Sequence, residues 1–191
     1  FLYFFIVTNL IGPSQYGLLS LGLSIYETIT ISTSSINNAL IKYISEKKQK
    51  GYLNESIKTN TIISIIAAFL LFILSDKISY VLNQPISPLI KLVGLFLIVS
   101  VIKETISNAI LGSSEIKYYA INETISCILK LIIVVIIITK VRNAFGVLAA
   151  YTLATFLAIL VSVWFIKKIK FNLEPINKTG LYSYSRSFFI I

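Results

Sequence analysis

Two ionisable residues sit deep inside long apolar stretches: Glu27 within Tyr16–Ile41, and Lys130 within the run from Tyr118 to Thr139. A charge near the centre of a bilayer costs a few kcal/mol, so such a side chain must face a water-filled cavity or a partner of opposite sign. Around Glu27, the residues Ser20, Ser24, Ser34 and Asn38 recur at spacings of three, four and seven, which places them near one face of a helix. A later segment carries Ser100, Lys103, Glu104 and Ser107, and the next one sets Glu123, Ser126, Cys127 and Lys130 on a single stripe. Together these residues would line an internal polar pathway. Other readings stay open: Glu27 and Lys130 pair with each other, Lys103 and Glu104 lie at the interface where a lysine snorkels, and Glu123 is interfacial too.

No catalyst assembles from these residues. The chain has no His and one cysteine, Cys127, which gives neither a disulfide framework nor a zinc site. It lacks an acidic pair placed as in metal-dependent transferases and a glycine-rich phosphate loop, and its Ser and Thr residues have no base beside them. We expect neither an enzyme nor a cofactor. The excess of 17 Lys and Arg over 8 Asp and Glu is dispersed among apolar spans rather than gathered on one soluble face, which argues against nucleic acid. The N-x-S/T triplets at Asn54, Asn122 and Asn177 are of a kind that arises by chance in a chain rich in Asn and Ser.

The elements that must position these groups are six apolar segments separated by short polar breaks. With 56% hydrophobic residues and a mean hydropathy of +0.85, the chain exceeds the roughly 45–50% apolar content of soluble domains. The pattern predicts an all-α, polytopic membrane helix bundle with helices at about 1–11, 16–42, 55–82, 88–111, 117–140 and 144–168, followed over 171–191 by a connector and the start of a seventh helix. Gly12-Pro13-Ser14 and Asn83-Gln84-Pro85 are breaks, Ser87 is a candidate N-cap with Pro88 following, Gly112-Ser113-Ser114 closes the fourth helix, and Asn143 caps the sixth. Along that sixth helix Gly146, Ala150, Ala154, Ala158 and Ser162 form a small-residue packing stripe. The chain has no Met and starts and stops in apolar runs, so we expect it to be truncated within a helix at both ends.

Charge sets an expected orientation. Lys42, Lys47, Lys48, Lys50, Lys58, Lys103, Lys117, Lys167, Lys168, Lys170, Lys178 and Arg186 belong to the connectors after the even helices, against Lys77, Lys91, Lys140 and Arg142 for the odd ones. Twelve against four places the even connectors in the cytoplasm of a multi-pass cell-membrane protein. The cluster Lys47-Lys48-Gln49-Lys50 would then form a cytoplasmic surface able to attract anionic membrane lipids.

Specific words in the sequence go further. Leu10-Ile11-Gly12-Pro13-Ser14-Gln15-Tyr16-Gly17-Leu18-Leu19-Ser20-Leu21 resembles the "LGPxxYGLxxL" join between the first two helices of the polysaccharide-biosynthesis, or Wzx-type, flippases of the multidrug/oligosaccharidyl-lipid/polysaccharide exporter superfamily. Ala39 to Glu46 with Lys50-Gly51 is similar to that family's exit from the second helix. Leu111 to Tyr119 is similar to its loop between helices four and five, and Phe145 to Tyr151 to the start of its sixth helix. The chain departs from the pattern at Asn9, where many members are basic, and at Arg186 after Ser185, where a Pro is common. The resemblance implies the first six-helix lobe of a two-lobed flippase, whose C-terminal lobe completes a central cavity. It implies transport of a lipid-linked oligosaccharide by alternating access. Lys130 would then suit the anionic head and Ser20, Ser24, Glu27 and Asn38 the sugar, with Lys103 a further substrate-binding candidate. A cation-coupled drug exporter of the same superfamily, with Glu27 as the coupling site, and a non-transporting scaffold for glycan assembly are the alternatives.

Overall fold

The computed structural model describes residues 2–47, 49–171, 181, 182, 184 and 185. Lys48, Glu174-Pro175, Asn177, Lys178, Arg186 and most of the expected seventh-helix start lie outside the described residues. The elements are all helices: α1 (Leu2–Ile11), α2 (Pro13–Lys47), α3 (Lys50–Val81), α4 (Ser87–Gly112), α5 (Ile116–Ile138) and α6 (Ala144–Lys168). Of these, α3, α5 and α6 are long and apolar enough to cross a membrane. Helices α2 and α4, of 35 and 26 residues, have the length for a core of about 30 Å but carry more polar side chains.

Helices α2 and α3 reach closer to each other than the apolar pattern predicts, ending at Lys47 and resuming at Lys50. Hydropathy marks where lipid ends; helix formers such as Lys and Glu carry the backbone on beyond it. Between α1 and α2 the chain turns on Gly12 alone, whose φ of 82° suits a residue without a Cβ, and Pro13 opens α2. Ser87 is not the cap of α4. It is the first helical residue, after the N-cap Ile86, and its hydroxyl donates to Asp76 at the end of α3, while the Ile86 N–H reaches Ser79 Oγ at 3.2 Å. Gly112 is the last residue of α4, and the left-handed residue is Ser114, with φ 65°. A Cβ on Gly112 would lie 2.9 Å from the Ile41 carbonyl oxygen, so glycine there permits the close approach of α2. Asn143 caps α6 as its sequence suggests, accepting from the Gly146 N–H at 2.8 Å.

The bundle is built around α4, which packs against α2, α3, α5 and α6; α5 lies on α6, and α1 rests at the side against α2 and α5. The stripe Gly146, Ala150, Ala154, Ala158 and Ser162 is buried throughout, as a packing face should be. Outward faces are strongly apolar, with Ile66, Phe69 and Phe72 on α3, Ile128, Ile132 and Ile136 on α5, and Phe156, Leu160 and Trp164 on α6 all exposed. In water such faces would drive aggregation; in lipid they are in their own solvent. After α6, Tyr182 and Tyr184 dock on the facing ends of α2 and α3. The Tyr182 hydroxyl lies 2.9 Å from Glu55 Oε1, and Lys42 Nζ lies 3.8 Å from the centre of the Tyr184 ring.

Of three apolar cores, two hold opposite ends of the bundle. One gathers Leu19, Ile90, Val93, Val147 and Leu148, and the other Leu40, Ile44, Tyr52, Leu53 and Ala109. Polar contacts cross the interior between them. On one side of α4, Asn60 Nδ2 donates to Asn37 Oδ1 and to Thr105 Oγ1, each at 2.9 Å, joining α3, α2 and α4. On the other side, Asn122 Nδ2 donates to Ser107 Oγ at 2.8 Å and Ser162 Oγ donates to Asn122 Oδ1 at 2.9 Å, joining α5, α4 and α6. Asn122 is fully buried, its side-chain amide taken up by this packing.

Candidate functional site

Between these two cores lies a half-open cavity of about 580 Å³, lined by α2, α4, α5 and α6. Helix α2 contributes Tyr26 and Glu27, α4 contributes Phe96, Ser100, Lys103 and Glu104, α5 contributes Cys127 and Lys130, and α6 contributes Tyr151 and Thr155. Three of the candidate residues, Glu27, Lys103 and Lys130, therefore meet in one space although more than a hundred positions separate the first from the last. Their convergence follows from helical phase. Cys127 and Lys130, and likewise Ser100, Lys103 and Glu104, recur at three or four residues and so share a face.

The other candidates lie elsewhere. Ser24 lines a separate groove of about 540 Å³ between α2 and α3, with Leu21, Thr28, Lys77 and Val81. Ser20 and Asn38 are exposed on α2 and line neither space. Ser107 and Ser126 turn into the packing around Asn122, Ser126 donating to the Asn122 carbonyl oxygen at 2.7 Å.

Charges in the cavity are treated unequally. Lys103 is only 9% exposed, and its Nζ donates to both oxygens of Glu123, at 2.6 and 2.7 Å. That geometry gives Lys103 a counter-ion within the bundle: the lysine side chain is 11% exposed and that of Glu123 35%. Among the described residues, Glu27, Glu104 and Lys130 make no salt bridge and no side-chain hydrogen bond, so the Glu27–Lys130 pair is not formed. A further polar atom is left open: Thr155 Oγ1, on a residue 1% exposed, has no hydrogen-bond partner although it borders the cavity. Burying a hydroxyl without a partner costs about 1–3 kcal/mol, and Asn37 Nδ2, Ser56 Oγ and Asn60 Oδ1 are unpartnered too, away from the cavity.

Chemically the space can hold a molecule with an anionic group at Lys130 and hydrogen-bonding groups at Glu27, Glu104, Ser100 and Thr155. The rings of Tyr26, Phe96 and Tyr151 supply flat apolar walls, the first two with centroids 4.8 Å apart. Sequence reasoning missed these aromatics and Thr155. The aromatic residues are ordinary in apolar helices, and Thr155 lies beside the more conspicuous small-residue stripe.

No curated protein and no solved structure matches the chain. The sequence model of the family described as "Polysaccharide biosynthesis protein" matches residues 1–190, nearly the whole length. That match agrees with an all-helical bundle whose outer faces suit lipid. This membrane protein belongs to the polysaccharide biosynthesis protein family.

Proposed function

We propose that the chain forms one six-helix lobe of a flippase that carries lipid-linked oligosaccharide across the cell membrane by alternating access. The observation that carries this reading is the single cavity, inside an apolar bundle, on which Lys130, Lys103 and Glu27 converge from three helices. A lipid-linked sugar must bring a phosphate-bearing head through lipid while its tail stays outside. Lys130 meets the phosphate, the carboxylates of Glu27 and Glu104 accept hydrogen bonds from sugar hydroxyls, and Thr155 adds a hydroxyl. No bond is made or broken in this cycle, so the residues bind and release rather than catalyse. Ser20, Ser24 and Asn38, on the open side of α2, would face a second lobe of the same protein and extend the path. The even connectors lie in the cytoplasm in this scheme.

The test is flipping of a fluorescent polyprenyl-diphosphate oligosaccharide by the intact protein in liposomes, read by quenching from one side. Removing a charge-assisted contact worth about 1.5–3 kcal/mol, Lys130→Ala should slow flipping ~10-fold or more, with Lys130→Arg retaining more of the rate. Wild-type rates in both variants would overturn the assignment. A second reading is favoured by the unpaired acids Glu27 and Glu104 together with the Tyr26, Phe96 and Tyr151 rings, a set that suits a lipophilic cation. In that case Glu27→Gln abolishes ion-driven efflux of a cationic dye and Lys130→Ala leaves it intact. A scaffold role would leave both assays blank.

A further inference from the structure

Helices α2 and α3 meet at the break between Lys47 and Lys50 and stand apart at their other ends, where the groove of about 540 Å³ lies between residues 21–28 and 77–82. They form a V, with α4 packed against both arms. Part-way along, Asn60 on α3 donates to Asn37 on α2 and to Thr105 on α4, which pins the arms to each other and to α4. Four residues of the chain after α6 straddle the vertex. Leu181 is fully buried against Leu40 and Ile44 of α2 and Tyr52 and Leu53 of α3, and Ser185 is buried as well. Tyr182 turns to α3: its hydroxyl donates to Glu55 Oε1 at 2.9 Å and lies 2.8 Å from Thr59 Oγ1. Tyr184 turns to α2, with Lys42 Nζ 3.8 Å from its ring centre and the Tyr43 ring edge-on to it at 6.2 Å. Each arm of the V is thus held by one tyrosine, within about three turns of the vertex.

The two kinds of contact differ in what breaking them leaves behind. Glu55 and Lys42 are partly exposed near helix ends, so lifting the tyrosines returns both charges to water, where they are hydrated. Only Leu181 then gives up apolar burial. Parting Asn37 from Asn60, by contrast, breaks a buried contact that water does not replace. The vertex is therefore the releasable part of the V and the asparagine pair its pivot. Residues 21–28 lie about 30 Å from Lys47 along α2, so a small change of angle at the vertex is a large change in the width of the groove. We propose that Leu181, Tyr182, Tyr184 and Ser185 form a releasable strap that sets the angle between α2 and α3. Closed, it holds the V as it stands; lifted, it lets the arms turn about the Asn37–Asn60 pivot and alters the groove at the far end. The device is independent of what the cavity binds.

The experiment uses the intact protein solubilised in detergent, with two readouts. Hydrogen exchange, resolved by peptide, reports the strap. Spin labels at Ser14→Cys and Tyr80→Cys, both exposed at the far ends of the arms, report the opening of the V in a Cys127→Ser background. With the strap unaltered, its amides should exchange slowly and the label spacing should be narrow. Tyr182→Phe removes only the hydroxyl between Glu55 and Thr59, and should speed exchange in the strap ~10-fold or more, the scale of one hydrogen bond to a charged group, while amides around Asn122 keep their rates. The label spacing should broaden in Tyr182→Phe and shift further when Tyr184→Leu removes the ring from Lys42. Free exchange in the unaltered strap overturns the proposal, as does exchange that Tyr182→Phe leaves unchanged. Faster exchange with an unaltered label spacing overturns it too, since the strap would then be a passive tie. Should Tyr182→Phe speed exchange throughout the protein, Glu55→Gln keeps the shape and removes the charge, and an unaltered strap or spacing in that variant overturns the proposal equally.

Discussion

At Asn122 both arms of the side-chain amide are engaged, Nδ2 with Ser107 and Oδ1 with Ser162; about two turns along the same helix, Lys130 makes no hydrogen bond or salt bridge among the described residues. One cluster closes upon itself and ties α4, α5 and α6 together. The other, with Glu27, Glu104 and Thr155 Oγ1, leaves its polar atoms unmatched around a cavity. Both lie inside a bundle whose outer faces are apolar, where an unmet polar group is costly. The difference teaches that polar groups in such a bundle can join helices, as at Asn122, or line an open space, as at Lys130.

Substitutions can press on each half. The largest cost to stability should come from Gly112→Val, in the closely packed half. A Cβ there would stand 2.9 Å from the Ile41 carbonyl oxygen and 3.0 Å from its Cα, and backbone cannot step aside as a side-chain end does. We expect about 2 kcal/mol of destabilisation, read as a lower thermal midpoint of the purified protein, and an unchanged midpoint would show that α2 and α4 are less tightly joined than described.

Asn122→Ala should cost less, about 1 kcal/mol, because interhelical hydrogen bonds in membrane proteins are individually modest. Its effect on transport should follow its effect on stability. Thr155→Val should be the smallest of the three in stability, near zero, since its Oγ1 gives up no partner and the shape is kept. Transport should nevertheless fall in Thr155→Val, measured at equal protein in liposomes. If Thr155→Val destabilised the fold and Asn122→Ala did not, the contrast between closed and open clusters would fail.

Much of this organisation is legible along the chain. Gly12-Pro13 and the turn after Val81 separate helices because backbone preferences are local, and the cap at Asn143 is a matter of three residues. That Glu27 and Lys130 call for polar surroundings is legible because the penalty for a charge in lipid depends on the apolar length around it; in the structure both border the cavity, Glu27 as an exposed residue. Polar spacing on α2 does not say which space each residue lines. Ser20, Ser24 and Asn38 share Glu27's side of the helix but not its cavity, for the cavity also needs α4, α5 and α6 beside it.

Asn37 and Asn38 show where the division falls. They are neighbours of identical chemistry, turned about 100° apart on one helix. Sequence alone determined that both lie in α2 and that the membrane is the solvent; it favoured Asn38 on spacing. Tertiary structure decided that Asn37 is buried against Asn60 and Thr105 while Asn38 is exposed, and that Glu123 meets Lys103 whereas Lys130 meets no counter-ion. A helix and its solvent follow from short-range propensity and apolar area, both properties of the segment itself. The partner of a side chain depends on which other helix arrives at that angle, and that is settled only when all of them pack.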